Sequence, residues 1–233
     1  MGSTRLPGKV LRQLCGQSVL AHVVARVKSA RWLDGIVVAT TISPADDAVV
    51  AECQRLNVRA FRGSEEDVLS RYFSAAKIAE ADTIVRITSD CPLFDGALLD
   101  EMLKMFSGTE VDYLSNTLKR TFPRGLDAEI FTFAGLERAN RDANQPHERE
   151  HVTPYFYGHP ELFRLRSFEG TPDLSAHRWT LDTPDDWEFI QTLYQELNRP
   201  NALFTTSDVL KLLKVRPELA KLNTHVNQKS IGR

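Results

Sequence analysis

The sequence predicts an α/β fold built on a largely parallel sheet, and three observations carry that expectation. Short, β-branched apolar runs alternate with longer stretches of helical periodicity through the first hundred residues. The first of them, Ile36-Val-Val-Ala39, is continuously apolar, the pattern of a strand covered on both faces. The chain has 233 residues and no internal repeat, low-complexity segment or linker rich in Gly, Ser or Pro, so one domain around one substantial core is expected.

Residues 18–30 read as the first helix: Ser18 is a ready N-cap, and Val19, Leu20, Val23, Val24 and Val27 form an apolar face. Gly35-Ile-Val-Val-Ala-Thr-Thr41 reads as a buried parallel strand. Ser43-Pro-Ala-Asp-Asp47 opens a helix reaching about residue 56, with Pro44 in its first turn and acids favoured by the dipole. A short strand at 58–61 precedes a helix at 65–80, and Thr83-Ile-Val-Arg-Ile-Thr88 is the next strand. A helix over 95–106 follows. Beyond it the alternation loosens: strands at 111–117, 126–132 and 163–168, helices at 133–143 and 149–158, and a polar turn at 144–148. Residues 184–197 and 207–213 read as helices, the first amphipathic through Trp187, Ile190, Leu193 and Tyr194. The tail from 224 to 233 is polar and expected to be loosely held.

Composition narrows the function. Lys plus Arg total 29 against 31 Asp plus Glu, a net charge of −2, which gives no global attraction to nucleic acid or an anionic membrane. Any anion site must be local. Cys15, Cys53 and Cys91 are odd in number, scattered, and form no C-x-x-C pair, so they read as reduced thiols of a cytoplasmic protein. No apolar run approaches a membrane span, and the first residues have no signal-peptide character.

One stretch concentrates chemistry. Gly2-Ser-Thr-Arg-Leu-Pro-Gly-Lys9 places two glycines, two hydroxyls and two cations within eight residues. Such a loop can turn backbone N–H groups and cations toward a polyphosphate. Arg5 suits bidentate contact with phosphate oxygens and Lys9 a point charge, with Ser3 a further donor. Gly8 lets the backbone bend and Pro7 stiffens the turn. The spacing is neither the phosphate loop G-x-x-x-x-G-K-[ST], since Val10 stands where a hydroxyl is needed, nor G-x-G-x-x-G.

That loop resembles the signature of the sugar cytidylyltransferases, in particular the branch of spore coat polysaccharide biosynthesis protein F and the acylneuraminate cytidylyltransferases. The resemblance runs nearly end to end, through Arg62-Gly-Ser-Glu-Glu-Asp-Val-Leu69, Ser89-Asp-Cys-Pro-Leu93, Pro123-Arg-Gly-Leu-Asp-Ala-Glu129, Arg149-Glu-His-Val-Thr-Pro-Tyr155 and Arg178-Trp-Thr-Leu-Asp-Thr-Pro-Asp-Asp186. It implies a three-layer nucleotide-diphospho-sugar transferase-like fold with a mostly parallel mixed sheet. Relatives carry a buried strand and an arginine directly ahead of the loop, whereas this sequence opens on the loop, so the expected sheet lacks its usual first strand. The implied reaction is transfer of CMP from CTP to an acidic sugar with release of pyrophosphate. Mg2+ is the implied cofactor, and a homodimer is implied in which residues 118–168 reach into the partner's site. A nucleotide-sugar glycosyltransferase on the same fold and an inactive relative are the alternatives. The first commonly uses an Asp-x-Asp motif that Ser89-Asp-Cys-Pro-Leu93 does not reproduce.

Nucleotidyl transfer needs neutralised phosphate charge, and magnesium is satisfied by one or two carboxylates plus water. Asp90 follows a strand directly, so it reads either as a metal ligand at the strand's carboxyl end or as a cap or turn residue before the helix at Asp95. Asp182 reads either as a ligand or, with Thr183, as the N-cap of the helix at Pro184. The resemblance assigns the metal to both. Arg5, Lys9 and Asp90 are the expected catalytic residues, with Ser3 and Gly8 on the phosphates. The resemblance brings Ser64 and Arg71 to the base, where Thr40 and Thr41 also stand at a strand end. Arg71 reads alternatively as a helix-surface partner of Asp67. Arg124, Arg149 and Arg178 are candidates for a sugar carboxylate, Arg124 foremost because it sits in a Pro-Arg-Gly turn. Glu129 and His151 are candidates to orient sugar hydroxyls, and His151 is also a candidate general base.

Overall fold

The computed structural model describes residues 5–228. Its elements run in the order β1 (Gln13–Leu14), β2 (Gln17–Ser18), α1 (Val19–Lys28), β3 (Val37–Thr41), α2 (Asp47–Arg55), β4 (Arg59–Gly63), α3 (Val68–Ile78), β5 (Thr83–Arg86), α4 (Gly96–Ser107), β6 (Tyr113–Ser115), β7 (Glu129–Thr132), α5 (Phe133–Asp142), α6 (Pro146–His151), α7 (Pro154–Gly158), β8 (Leu165–Ser167), α8 (Pro184–Leu197) and α9 (Thr206–Val215). The helix starts follow local chemistry. Ser18, Asp67, Asp95, Thr132, Thr183 and Thr205 each accept a hydrogen bond from a backbone N–H of the first turn.

The main sheet has the order β5-β7-β6-β8. β7 pairs antiparallel with β5 and with β6, while β6 and β8 are parallel, so β5, β6 and β8 share one direction and β7 opposes them. Side-chain alternation sorts its two faces. Val85, Leu114 and Ile130 meet the larger core, into which α1, α4, α8 and α9 pack. Ile84, Tyr113 and Phe131 face a second core formed with α3, α5 and the α6–α7 segment. Helices on both faces of a mixed sheet make the three-layer architecture that the sequence led us to expect.

The structure departs from expectation at two places. The expected polar turn at 144–148 already enters α6 at Pro146, and the single helix expected over 149–158 is divided into α6 and α7 at Val152, whose φ of +73° is not helical. The second departure is in the sheet. β3 and β4 form a separate parallel pair, from Val37↔Arg59 to Thr41↔Gly63, supported by α1 and α2 through Leu20, Val24, Val49 and Cys53. No ladder joins β3 to β5. A cleft of about 880 Å3 lies between them, lined by Val37, Val38 and Ala39 on one side and Thr83, Ile84 and Val85 on the other, with α1 and α3 as walls. The cleft leaves Val37 and Val38 half-buried although the run at 35–41 reads as a buried strand, and Val85 across it is half-buried as well. The β1–β2 hairpin, turning at Cys15-Gly16, carries no pattern long enough to predict, since each strand has two residues. The three cysteines are free thiols. Among the described residues no helix is long and apolar enough to cross a membrane.

Candidate active site

The site forms where the loop carrying Arg5 and Lys9 meets the carboxyl end of β5 and the approach to α8. Leu6 is buried in the larger core and fixes the loop's start. Gly8 has φ +65°, the left-handed conformation that glycine adopts without cost, and Lys9–Leu11 then makes one 3-10 turn closed by Leu11 N–H donating to the Gly8 carbonyl at 3.0 Å. This turn aims Lys9 inward. Its ammonium donates to Asp90 Oδ2 at 2.6 Å and Asp182 Oδ1 at 2.8 Å, and Arg5 Nη2 lies 3.3 Å from Asp182 Oδ2. Residues separated by 81 and 173 positions thus meet at one nitrogen.

Each carboxylate is held from behind. Thr88 Oγ1 donates to Asp90 Oδ1 at 2.6 Å, and Leu181 N–H donates to the Asp90 carbonyl at 2.9 Å, so the two acid-bearing segments are joined backbone to backbone. Neither aspartate serves as a helix cap: Asp95 caps α4, and Thr183 with Asp186 forms the capping box of α8. Asp186, fully buried, accepts at Oδ2 from the N–H groups of Asp182 and Thr183, both at 3.0 Å. Arg178 grips Asp186 at 2.8 Å through Nε and again through Nη2, and reaches Asp182 Oδ2 at 3.1 Å. Asn223 donates to both Asp186 Oδ1 and the Arg178 carbonyl at 2.9 Å.

Charge balance follows from this packing. Burial works to lower the Lys9 pKa, and the opposing charges and hydrogen bonds of Asp90 and Asp182 outweigh it, leaving Lys9 above its ordinary value. Burial works to raise the Asp182 carboxyl, and Lys9, Arg5 and Arg178 overcome it, leaving it below the usual range. Lys9 is therefore a cation and Asp182 an anion at neutral pH.

Arg124 is brought close to this centre. Its N–H donates to the His177 carbonyl at 3.0 Å and its carbonyl accepts from Trp179 N–H at 2.6 Å, a one-bridge parallel pairing with the strand-like stretch that leads to Asp182. Gly125, at φ +107°, makes the approach possible, because a Cβ there would lie 2.5 Å from the Trp179 carbonyl carbon. Among the described residues the Arg124 guanidinium has no hydrogen bond or ion pair. Burial and the neighbouring Arg120 lower its pKa.

The other expected residues are placed differently. Ser64 and Arg71 are joined to each other: Arg71 Nη1 donates to the Ser64 carbonyl, while Ser64 Oγ accepts from Asp67 N–H at 3.0 Å. The alternative pairing of Arg71 with Asp67 is not formed, since Asp67 caps α3 and binds Arg149 Nε at 3.0 Å. Arg71 Nε is buried with no partner among the described residues. Arg149 ties α6 to α3, and Arg178 is committed to Asp186, so neither presents a free cation to a sugar acid. Glu129 is likewise engaged, by Arg86 and by the Tyr113 and Thr153 hydroxyls at 2.6 Å. His151 closes α6, where its carbonyl accepts from Thr153 N–H. Ser3 lies outside the described residues. Sequence reasoning missed the positioning roles of Asp186 and Asn223. The capping-box spacing of Thr183 and Asp186 was visible, but the reach of Asn223 was not.

The family described as cytidylyltransferase matches residues 1–210. The spore coat polysaccharide biosynthesis protein SpsF of Bacillus subtilis (strain 168) is 36% identical over 230 residues, covering 94% of this chain and 93% of its own length. A solved cytidylyltransferase from Leptospira borgpetersenii serovar Hardjo-bovis is 34% identical, with a TM-score of 0.91 across 98% of this chain and 95% of that one. A CMP:2-keto-3-deoxy-manno-octonic acid synthetase solved in complex with CTP shares the fold at a TM-score of 0.66 and 18% identity, over 84% of this chain and 95% of that one.

Proposed function

Because the chain belongs to the cytidylyltransferase family, and is thus a nucleotidyltransferase, we propose that it transfers CMP from CTP to an acidic sugar of the nonulosonic or ulosonic type. A sugar hydroxyl oxygen forms a bond to the α-phosphorus, the bond from that phosphorus to the bridging oxygen breaks, the hydroxyl proton is released, and pyrophosphate leaves. The observation that carries this reading is the meeting of Lys9 with Asp90 and Asp182, with Arg5 alongside, at the carboxyl end of β5. CTP as the donor is supported by the family and by the fold relative solved with CTP.

In this assignment Arg5 and Lys9 take the β- and γ-phosphates and then the departing pyrophosphate, supplying positive charge in a site that is partly closed to water. Gly8 turns the loop toward them. Asp90 and Asp182 fit a divalent cation such as Mg2+, because a hard cation takes oxygen donors and two carboxylates suffice when waters complete the shell. When bound, that cation supplies neutralisation of phosphate charge. Arg124 binds the sugar carboxylate: it is the cation beside Asp182 without a described partner, and a guanidinium matches a carboxylate in a two-point contact. Ser64 and Arg71 are assigned to the nucleoside, supported by the unpartnered Arg71 Nε. A homodimer that uses residues 118–168 agrees with the exposed Leu118 and Tyr157 in that stretch.

The test is pyrophosphate release from CTP and Mg2+ with a panel of nonulosonic and ulosonic acids. Release is expected with one acid, lost in Asp90→Ala, and in Arg124→Met retained with a raised KM for the acid and an unchanged KM for CTP. Silence across the panel together with absent CTP binding would overturn the proposal and return the glycosyltransferase reading.

A further inference from the structure

Lys9 stands at the point that the two carboxylates share. Its ammonium is within 2.8 Å of both Asp90 and Asp182, and its side chain is only 13% exposed. Two cations cannot occupy one point between two carboxylates, so a divalent cation taking both oxygens must displace this nitrogen. We propose that Lys9 is an exchangeable counter-cation of the Asp90–Asp182 pair, and that phosphate drawing Lys9 away opens the pair to the metal. Nucleotide and divalent cation then bind with positive coupling through one side chain. The inference rests on the assignment of CTP and a metal to this site.

Contrast with the neighbouring cation supports the exchange. Arg178 is fixed: its guanidinium holds the fully buried Asp186 through two nitrogens, and its side chain is 7% exposed. A planar fork held at two points by a fully buried carboxylate is a structural pair. Lys9 makes single-point contacts from a flexible four-carbon stem, on a loop that turns at Gly8 directly before it. Breaking the Lys9 contacts without a substitute leaves an ammonium largely shielded from water, which disfavours metal binding by itself. A triphosphate supplies the substitute acceptor. Coupling of this kind is reciprocal, so metal must tighten nucleotide binding by the same factor, typically about 5- to 150-fold.

The test reads metal binding directly, with Mn2+ as the probe and neither CTP nor sugar present. Mn2+ affinity, measured by electron paramagnetic resonance, is expected to be at least about tenfold tighter in Lys9→Met than in the wild type. Arg5→Met is the control for charge alone, since it also removes a cation next to Asp182, and it should tighten Mn2+ by clearly less. Equal tightening in the two variants, or none in Lys9→Met, overturns the exchange. A second measurement uses the unaltered protein and does not depend on a variant folding. Labelling of Lys9 by an amine-directed reagent, followed by mass spectrometry, should be slow in buffer and accelerate at saturating Mg2+; labelling indifferent to Mg2+ overturns the proposal. Pyrophosphate release is a separate assay, so loss of the exchange with turnover intact removes this inference alone, and loss of turnover with the exchange intact removes the substrate reading alone.

Discussion

Glu129 and Asp182 are both carboxylates drawn out of water against arginine, yet their partners differ in kind. Glu129 sits in the middle of the main sheet, on β7, and its oxygens are taken by the Tyr113 and Thr153 hydroxyls and by Arg86 from β5. Those donors stand on strands or on the packed α6–α7 segment. Asp182 sits on a loop, and its charge is met by Arg5 and Lys9 from one end of the chain as well as by Arg178. The side chain of Arg5 is 29% exposed. A buried anion satisfied by hydroxyls and a strand-borne arginine is part of the architecture. One balanced by cations on an adjustable loop can trade them for a ligand.

Removing Glu129 should have the largest effect on stability. Glu129→Ala strands the Arg86 guanidinium and two hydroxyls, and loss of one partner of a buried pair costs about 3–5 kcal/mol. The lower end is expected because the Arg86 side chain is 20% exposed. Urea unfolding measures it, and a loss below about 1 kcal/mol, the scale of surface pairs, would erase the contrast with Asp182. Next comes Gly125→Ala, which sets a Cβ against the Trp179 backbone at φ +107°. Strain at such a position costs about 1–3 kcal/mol, and the displaced Arg124 turn should raise KM for the sugar acid more than KM for CTP. Equal changes in the two KM values would separate Arg124 from the sugar.

The smallest effect is on the acid side. Asp182 and Asp186 are both held below the usual carboxylate range, burial being outweighed by their cations and hydrogen-bond donors. The unfolded chain therefore binds protons at a higher pH than the folded one. The stabilisation is full above about pH 4, the ordinary carboxylate value, and is lost as pH falls through the folded values. Urea midpoints between pH 5 and pH 2.5 should fall more gently in Asp182→Asn than in the wild type. An unchanged slope would mean that Asp182 adds no pH-dependent stability.

The order of elements was legible because capping residues and periodicity are local. Thr183 before Pro184 announces α8, and the apolar spacing of 19, 20, 23, 24 and 27 announces α1. The cover over β3 and β5 was not legible. An apolar run reports what a strand can bury, and only the neighbouring chain decides whether it is buried. The site divides in the same way. Loop chemistry singled out Arg5, Gly8 and Lys9, and position after a strand or before a helix singled out Asp90 and Asp182. The commitment of Arg149, Arg178 and Glu129 to structural pairs required partners at Asp67, Asp186 and Arg86 that no spacing rule connects.

By itself, then, the sequence determined most of the longer helices and strands, where the side-chain-capped helices begin, and which side chains can meet phosphate, metal or carboxylate, because these depend on backbone conformation and intrinsic chemistry; the two-residue hairpin and the division between α6 and α7 lay beyond it. Only the tertiary structure decided which charges find each other. Lys9, Asp90 and Asp182 share one point because the loop, the end of β5 and the approach to α8 converge there. Arg124 comes close to Asp182 because Gly125 lets its turn pack against the Trp179 backbone, and among the described residues its guanidinium has no hydrogen bond or ion pair. Coulomb and hydrogen-bond energies depend on distance in space, and folding sets that distance with no regard to separation along the chain.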